Sequence, residues 1–270
     1  MKPPYSADSY DTPLHTPLYL LHKLFCGNRL IYHFYSFLSI GMASIKASLG
    51  IFGKKEQIIS GVSFSRAVEK SGGKIHIRGV EHIRNLNEPV VIVCNHMSII
   101  ETIVINGIIR EHLDFTFVIK DSLLKTPFFG KVMKAIKAIP LTRADPKADF
   151  KTIMTQGKKN LEKGRSIVIF PEGTRSEKFN PDKFGSIGTK LAKNAKVKLI
   201  PLALKTNYVE QGKIFKNLGA LRQENELYFE FDRPLEITGN GRTEQQHVVE
   251  FIDNRLKYWY KLDSENNSIK

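Results

Sequence analysis

The chain alternates short uncharged runs with amphipathic stretches. Val90-Val91-Ile92-Val93-Cys94 is largely β-branched and carries no charge, the pattern of a strand buried on both faces. Asn95-His96 follows it, and Ser98 offers an N-cap to an apolar helix through Ile103, Val104, Ile105 and Ile108. The strand-then-helix order recurs. Asp114 to Ile119 reads as a strand closed by Lys120, and Leu123 to Lys137 is helical with a break near Pro127 to Gly130. Ala138 to Arg143 is a short extended piece, and Asp145-Pro146 opens a helix that runs to about Lys163 and stops at Gly164. Ser166-Ile167-Val168-Ile169-Phe170 is a second buried strand. A helix within Lys183 to Asn194 precedes the strand Val197 to Lys205. Leu227 to Phe231 alternates as an outer strand, and Glu244 to Leu262 is a closing amphipathic helix. Ahead of these, Ile58 to Lys70 reads as a helix ending at Ser71-Gly72-Gly73, and Lys74 to Gly79 alternates as a half-exposed strand with His76 toward solvent. The periodicity predicts an α/β domain over residues 57–270, a mostly parallel sheet flanked by helices.

The N-terminal fifth differs. Residues 1–13 are polar and Pro-rich and read as a mobile terminus without a secretory cleavage pattern. Residues 14–56 read as a membrane-associating helical hairpin. Its first arm is Leu18 to Phe25, broken by Gly27-Asn28, and its second is Leu30 to Phe52. On a helical wheel Phe34, Phe37, Leu38, Ile45, Leu49 and Phe52 share one broad face, opposite Ser36, Ser39, Ala43, Lys46, Ala47 and Gly50. At ~1.5 Å per residue the second arm reaches about 33 Å, long enough to span. His33, Lys46 and the serines suit it better to lie in the interface, and the choice between spanning and lying flat stays open at this stage. Arg29, Lys54 and Lys55 flank it, placed for headgroup phosphates.

Composition sharpens this picture in two ways. The 270 residues carry 41 basic and 27 acidic side chains, a formal charge of +14, which calls for an anionic partner. The lysines are scattered and no nucleic-acid-binding motif is present, so a lipid surface or phosphorylated substrates fit better than nucleic acid. The two cysteines, Cys26 and Cys94, have neither metal-ligand nor disulfide spacing, which points to a reducing compartment and no metal site.

The candidate chemistry lies where buried strands end, the place open α/β sheets hold ligands. His96 follows the first such strand, and Glu101, five residues on, is close enough to fold back onto the imidazole and fix its tautomer. A histidine there is by itself an ordinary polar turn residue, but the second strand ends in Pro171-Glu172-Gly173-Thr174-Arg175. Gly173 lets backbone approach a ligand, Thr174 and free N–H groups can add to an anion nest, and Arg175 has a fork suited to phosphate. Arg143, at another strand end, is a second cation. A nucleophile elbow, P-loop, Rossmann fingerprint and metal cluster are all missing from the sequence. Ser98 suits a cap and Cys94 points away inside a strand, so neither reads as a nucleophile. The set favours direct transfer, with His96 taking a proton from a bound hydroxyl that attacks an activated acyl carbon.

Asn95-His96-Met97-Ser98-Ile99-Ile100-Glu101-Thr102 resembles the first block, N-H-x-S-x-x-D-T, of the glycerolipid acyltransferases, and Phe170 to Ser176 matches their F-P-E-G-T-R-S block. Lys125 to Gly130 followed by Ala138 to Arg143 resembles the second block, and Ile200 to Leu204 the fourth. Four blocks fall in family order across roughly residues 75 to 210, so the chain resembles the PlsC-like 1-acyl-sn-glycerol-3-phosphate acyltransferases. The resemblance implies acyl transfer from acyl-CoA or acyl-acyl carrier protein to the hydroxyl of lysophosphatidic acid. The co-substrate is already activated, so no cofactor is implied. His96 corresponds to the general base and Glu101 to its acidic partner. Glu172, Gly173 and Arg175 match the acceptor-binding block, and Arg143 the second-block arginine. It also implies a membrane-associated enzyme with its catalytic domain on the cytoplasmic face. The chain departs from the pattern where Glu101 replaces Asp, Thr142 replaces the Asp before Arg143, and Lys137 stands where Gly is common. These departures bear on the acceptor, for which a lyso-ornithine lipid, another lysophospholipid or glycerol 3-phosphate are alternatives. A non-catalytic lipid-binding protein and a hydrolase are the readings outside the family's chemistry.

Overall fold

The computed structural model describes residues 4–5, 7–20, 29–210, 212 and 218–268. In chain order its elements are β1 (Tyr10–Asp11), α1 (Arg29–Ser48), α2 (Lys54–Glu69), β2 (Ile75–Arg78), α3 (Glu81–Arg84), β3 (Val91–Cys94), α4 (Ile99–Ile109), β4 (Phe115–Lys120), α5 (Phe129–Ala135), β5 (Ile139–Leu141), α6 (Pro146–Thr152), α7 (Lys158–Glu162), β6 (Ser166–Ile169), α8 (Ile187–Ala195), β7 (Leu199–Lys205), β8 (Leu227–Phe231) and α9 (Arg242–Ser268). A π-helical turn over Ile153–Gly157 joins α6 to α7.

The eight strands form one sheet in the order β1-β2-β8-β7-β3-β6-β4-β5. It is a mixed sheet. β7 and β8 are antiparallel neighbours, as are β1 and β2, and every other pairing is parallel. Alternate strand residues feed two cores. Ile92 and Cys94 of β3 face the layer of α1, α2 and α4, whereas Val91 and Val93 face α7, α8 and α9. The sheet is therefore covered on both sides, which explains why β3 and β6 are buried at every position and almost wholly apolar. Because β3, β4, β5, β6 and β7 run in the same direction, their carboxyl ends open on one edge of the molecule.

Several expectations change. Residues 1–13, read as mobile, carry β1, which pairs antiparallel with β2, and Tyr5 is buried. His76 is not a plain surface residue. Its Nδ1 lies 2.6 Å from Asp11 Oδ1, its Nε2 2.9 Å from Glu226 Oε2, and its ring stacks on Tyr228. The first arm of the expected hairpin falls largely on residues 21–28, outside the described residues, as does Cys26.

The second arm is α1, and its two wheel faces are well separated. Ser36, Ala43 and Ser44 are buried against the domain, while Phe34, Phe37, Leu38, Met42, Ile45 and Leu49 are exposed. Phe52, assigned to the apolar face, lies beyond the helix end and is buried. The polar and small side thus packs inward and the apolar side points out. Among the described residues, no helix is long and apolar enough to cross a membrane.

Candidate active site

Ser98 caps α4 with extended backbone, its hydroxyl accepting from Ile100 N–H, and Glu101 completes the capping box from the first turn. That geometry returns the Glu101 carboxylate over the turn it caps. Its Oε1 accepts from His96 Nδ1 at 2.8 Å, Met97 N–H at 2.7 Å and Ser98 N–H at 2.9 Å. Its Oε2 lies 2.9 Å from the Ser98 hydroxyl and accepts from the Thr206 hydroxyl. Burial pushes the Glu101 carboxyl up, but the bonds from His96, Thr206 and the Ser98 N–H reverse this and hold it below the usual range. A carboxylate at Nδ1 means that the proton sits on Nδ1, leaving Nε2 basic. The ring is fixed on its face by stacking on Phe170, with centroids 4.3 Å apart.

The loop after β6 clamps the same histidine through its backbone. His96 N–H donates to Glu172 Oε1 at 2.8 Å, and His96 C=O accepts from Ser176 N–H at 2.8 Å. Glu172 is pushed up to about 7, chiefly by burial and further by the charge of Glu101, against the bond from His96. Gly173 closes the turn with its N–H on Phe170 C=O and φ of +70°. A Cβ there would stand 3.9 Å from the Arg143 guanidinium, so the open side of the turn faces that cation.

Arg143 itself has φ of +59°, and Asp149 of α6 holds the strained turn by accepting from Arg143 N–H at 2.7 Å and Thr142 N–H at 3.0 Å. Lys137 has φ of +52°, a backbone setting that glycine adopts without strain.

A cavity of about 800 Å³ opens in front of His96. Lys120, Arg143, Gly173 and Arg175 are among the residues that line it. Its apolar lining includes Phe117, Ile119, Phe129, Ile153 and Phe170, and Thr102, Thr126 and Asp149 line it as well. Phe37, Ile40 and Gly41 of α1 contribute a wall. Of the residues picked from sequence, His96, Arg143, Gly173 and Arg175 meet around this space, with Glu101 directly behind His96. Glu172 instead turns its carboxylate to the His96 backbone, and Thr174 is exposed outside the cavity lining. Lys120, Asp149 and Thr206 escaped the sequence reading. Only Lys120 left a signal there, as a cation closing a buried strand.

Residues 74–205 match the Acyltransferase family model. A 1-acyl-sn-glycerol-3-phosphate acyltransferase of Pseudomonas aeruginosa is 37% identical over 133 residues, 49% of this chain and 50% of that protein. A chloroplastic protein of the same name from Arabidopsis thaliana is 30% identical over 131 residues, 48% of this chain and 36% of that one. The matches span about half of those relatives' length or less. The crystal structure of the 1-acyl-sn-glycerophosphate acyltransferase PlsC from Thermotoga maritima superposes with a TM-score of 0.64 at 19% identity, covering 88% of this chain and 96% of that one. At that identity the likeness bears on the fold alone.

Proposed function

From the premise that residues 74–205 form an acyltransferase domain of the PlsC-like family, we propose that this protein acylates the free hydroxyl of lysophosphatidic acid, giving phosphatidic acid. The observation that carries the reading is the buried Glu101 carboxylate on His96 Nδ1 beside a cavity that pairs an apolar bed with two arginines. His96 Nε2 takes the acceptor's hydroxyl proton. The oxygen attacks the thioester carbonyl of acyl-CoA or acyl-acyl carrier protein, and the carbon–sulfur bond breaks. The departing thiolate receives the proton back from His96, so the enzyme ends as it began. A thioester is already activated, so positioning and a base suffice without a cofactor. Arg143 and Arg175 hold the acceptor's phosphate, and the apolar bed holds an acyl chain.

The outward apolar side of α1 supports association with a bilayer through a helix lying in the interface. An apolar stripe of that kind has no use in contact with water alone.

The test is thiol release from oleoyl-CoA by purified protein in vesicles, with and without lysophosphatidic acid. Release should depend on the acceptor, yield phosphatidic acid, and disappear in a folded His96→Ala variant. In the same assay Arg175→Ala should raise the acceptor KM at least tenfold with little change for the donor. Release without acceptor would mark a thioesterase. Silence with lysophosphatidic acid but turnover with another lyso-lipid would move the assignment to that acceptor.

A further inference from the structure

Glu101 has two kinds of partner. Met97 N–H, Ser98 N–H and the Ser98 hydroxyl belong to the turn that Glu101 itself closes, so they move with it. The Thr206 hydroxyl comes from the end of β7, 105 residues away, and is fully buried, like Glu101. It bonds Glu101 Oε2, and the Ser98 hydroxyl lies 2.9 Å from it as well. Two residues before Thr206, Leu204 pairs with Asn95, which follows β3: Asn95 Nδ2 donates to Leu204 C=O at 2.7 Å and Oδ1 accepts from Leu204 N–H at 2.9 Å. The turn after β3 is therefore pinned to β7 at two points, once through Asn95 and once through the carboxylate that orients His96.

A glutamate has one more torsion than an aspartate, and its carboxylate can swing about that torsion while keeping local bonds. A partner fixed on the sheet removes this freedom. We propose that Thr206, one residue beyond the segment matched by the family model, is a positioning residue that locks the Glu101 carboxylate and so keeps the His96 imidazole in its Nδ1–H form with Nε2 toward the cavity. Its hydroxyl, not its shape, is what matters. Thr206 touches neither substrate in this scheme and acts through Glu101.

The kinetic readout rests on the acyl-transfer reading, so a second readout that needs no substrate is paired with it. Thr206→Val, near in shape but without a hydroxyl, should lower kcat at least tenfold while both KM values stay within twofold. Thr206→Ser should return kcat to within threefold of the parent. In protein labelled with ¹⁵N-histidine, the His96 resonances should report a dominant Nδ1–H tautomer in the parent and Thr206→Ser, and a mixture in Thr206→Val. In a Glu101→Asp background, where the carboxylate is drawn back from Thr206, Thr206→Val should add less than threefold. Should Thr206→Val fail to fold, Thr206→Ala is read by the same criteria. The proposal is overturned if the folded hydroxyl-free variant turns over within threefold of the parent, if Thr206→Ser falls as far as Thr206→Val, or if the tautomer is unchanged. A parent protein that is silent in the assay, with the tautomer still lost in Thr206→Val, would overturn the acyl-transfer reading and uphold the role of Thr206.

Discussion

Glu172 is one hydrogen bond from the backbone of His96, and burial holds it neutral up to about pH 7. An acid whose pKa is raised on folding keeps a proton that the unfolded chain has already released. Its contribution to stability is therefore lost as pH rises from the usual carboxylate range to about 7, and is level above that. Glu172→Gln keeps an oxygen to accept from His96 N–H but has no proton to lose. Between pH 5 and 8 its unfolding free energy should fall by roughly 1–2 kcal/mol less than the parent's, a figure reduced for the partial exposure of the group. Urea titrations at the two pH values check this. The pairing of His96 with Glu101 was legible in the sequence because the two lie five residues apart across a helix start, where a capping geometry folds the glutamate back. The bond that Glu172 accepts was not, since nothing local reveals that its partner is a backbone N–H 76 residues away. Thr206 and Asp149 were silent for the same reason: a threonine past a strand and an aspartate in a helix look ordinary until the chain folds.

The helices that frame the site pack closely at one point. α2 crosses α4 at Gly61 and Gly107, where a Cβ on Gly61 would stand 2.2 Å from Gly107 N and 3.0 Å from Ile103 C=O. Backbone atoms of a buried helix cannot yield as a flexible side chain can, so Gly61→Ala must push the helices apart. It should lower stability by about 1–3 kcal/mol, read as a drop in the urea midpoint at unchanged slope. Activity should drop as well, because α4 carries Glu101 in its first turn. Long periodic segments were readable: the buried strands by their β-branched runs, and α4 by its cap. β1 was not, because two residues in a Pro-rich stretch carry no periodicity and pair only when β2 is in place. For α1 the wheel separated the two faces, and it is Ser36, Ala43 and Ser44 that pack inward while the apolar side chains stay exposed.

Strand order lies beyond local pattern altogether. The step from β3 over α4 to β4 leaves a place that β6 fills much later in the chain, and this interleaving gathers distant motifs along one edge of the sheet. Charge and the α1 stripe operate over the same span. A net +14 should draw the protein to anionic surfaces, with the exposed apolar side chains then inserting. Co-flotation with vesicles containing anionic lipid should weaken as salt rises. It should also fall at least fivefold in a Leu38→Asp, Ile45→Asp variant whose circular dichroism matches the parent. Binding indifferent to both changes would exclude α1 as the contact.

Phe37 belongs to two surfaces at once: it is half exposed on the outer side of α1 and it lines the cavity beside His96, next to Ile40 and Gly41. Moving a fatty chain into water costs about 0.8 kcal/mol per methylene, so lifting a sixteen-carbon tail clear of a bilayer would cost roughly 12 kcal/mol before any bond was made. On the proposed function, the shared wall would offer a route on which the tail slides from one oily surface to the next without meeting that barrier. The rate at which such an enzyme meets its lipid would then follow the lipid's density in the plane of the membrane, and diluting the vesicles at fixed lipid composition would leave turnover by bound protein unchanged.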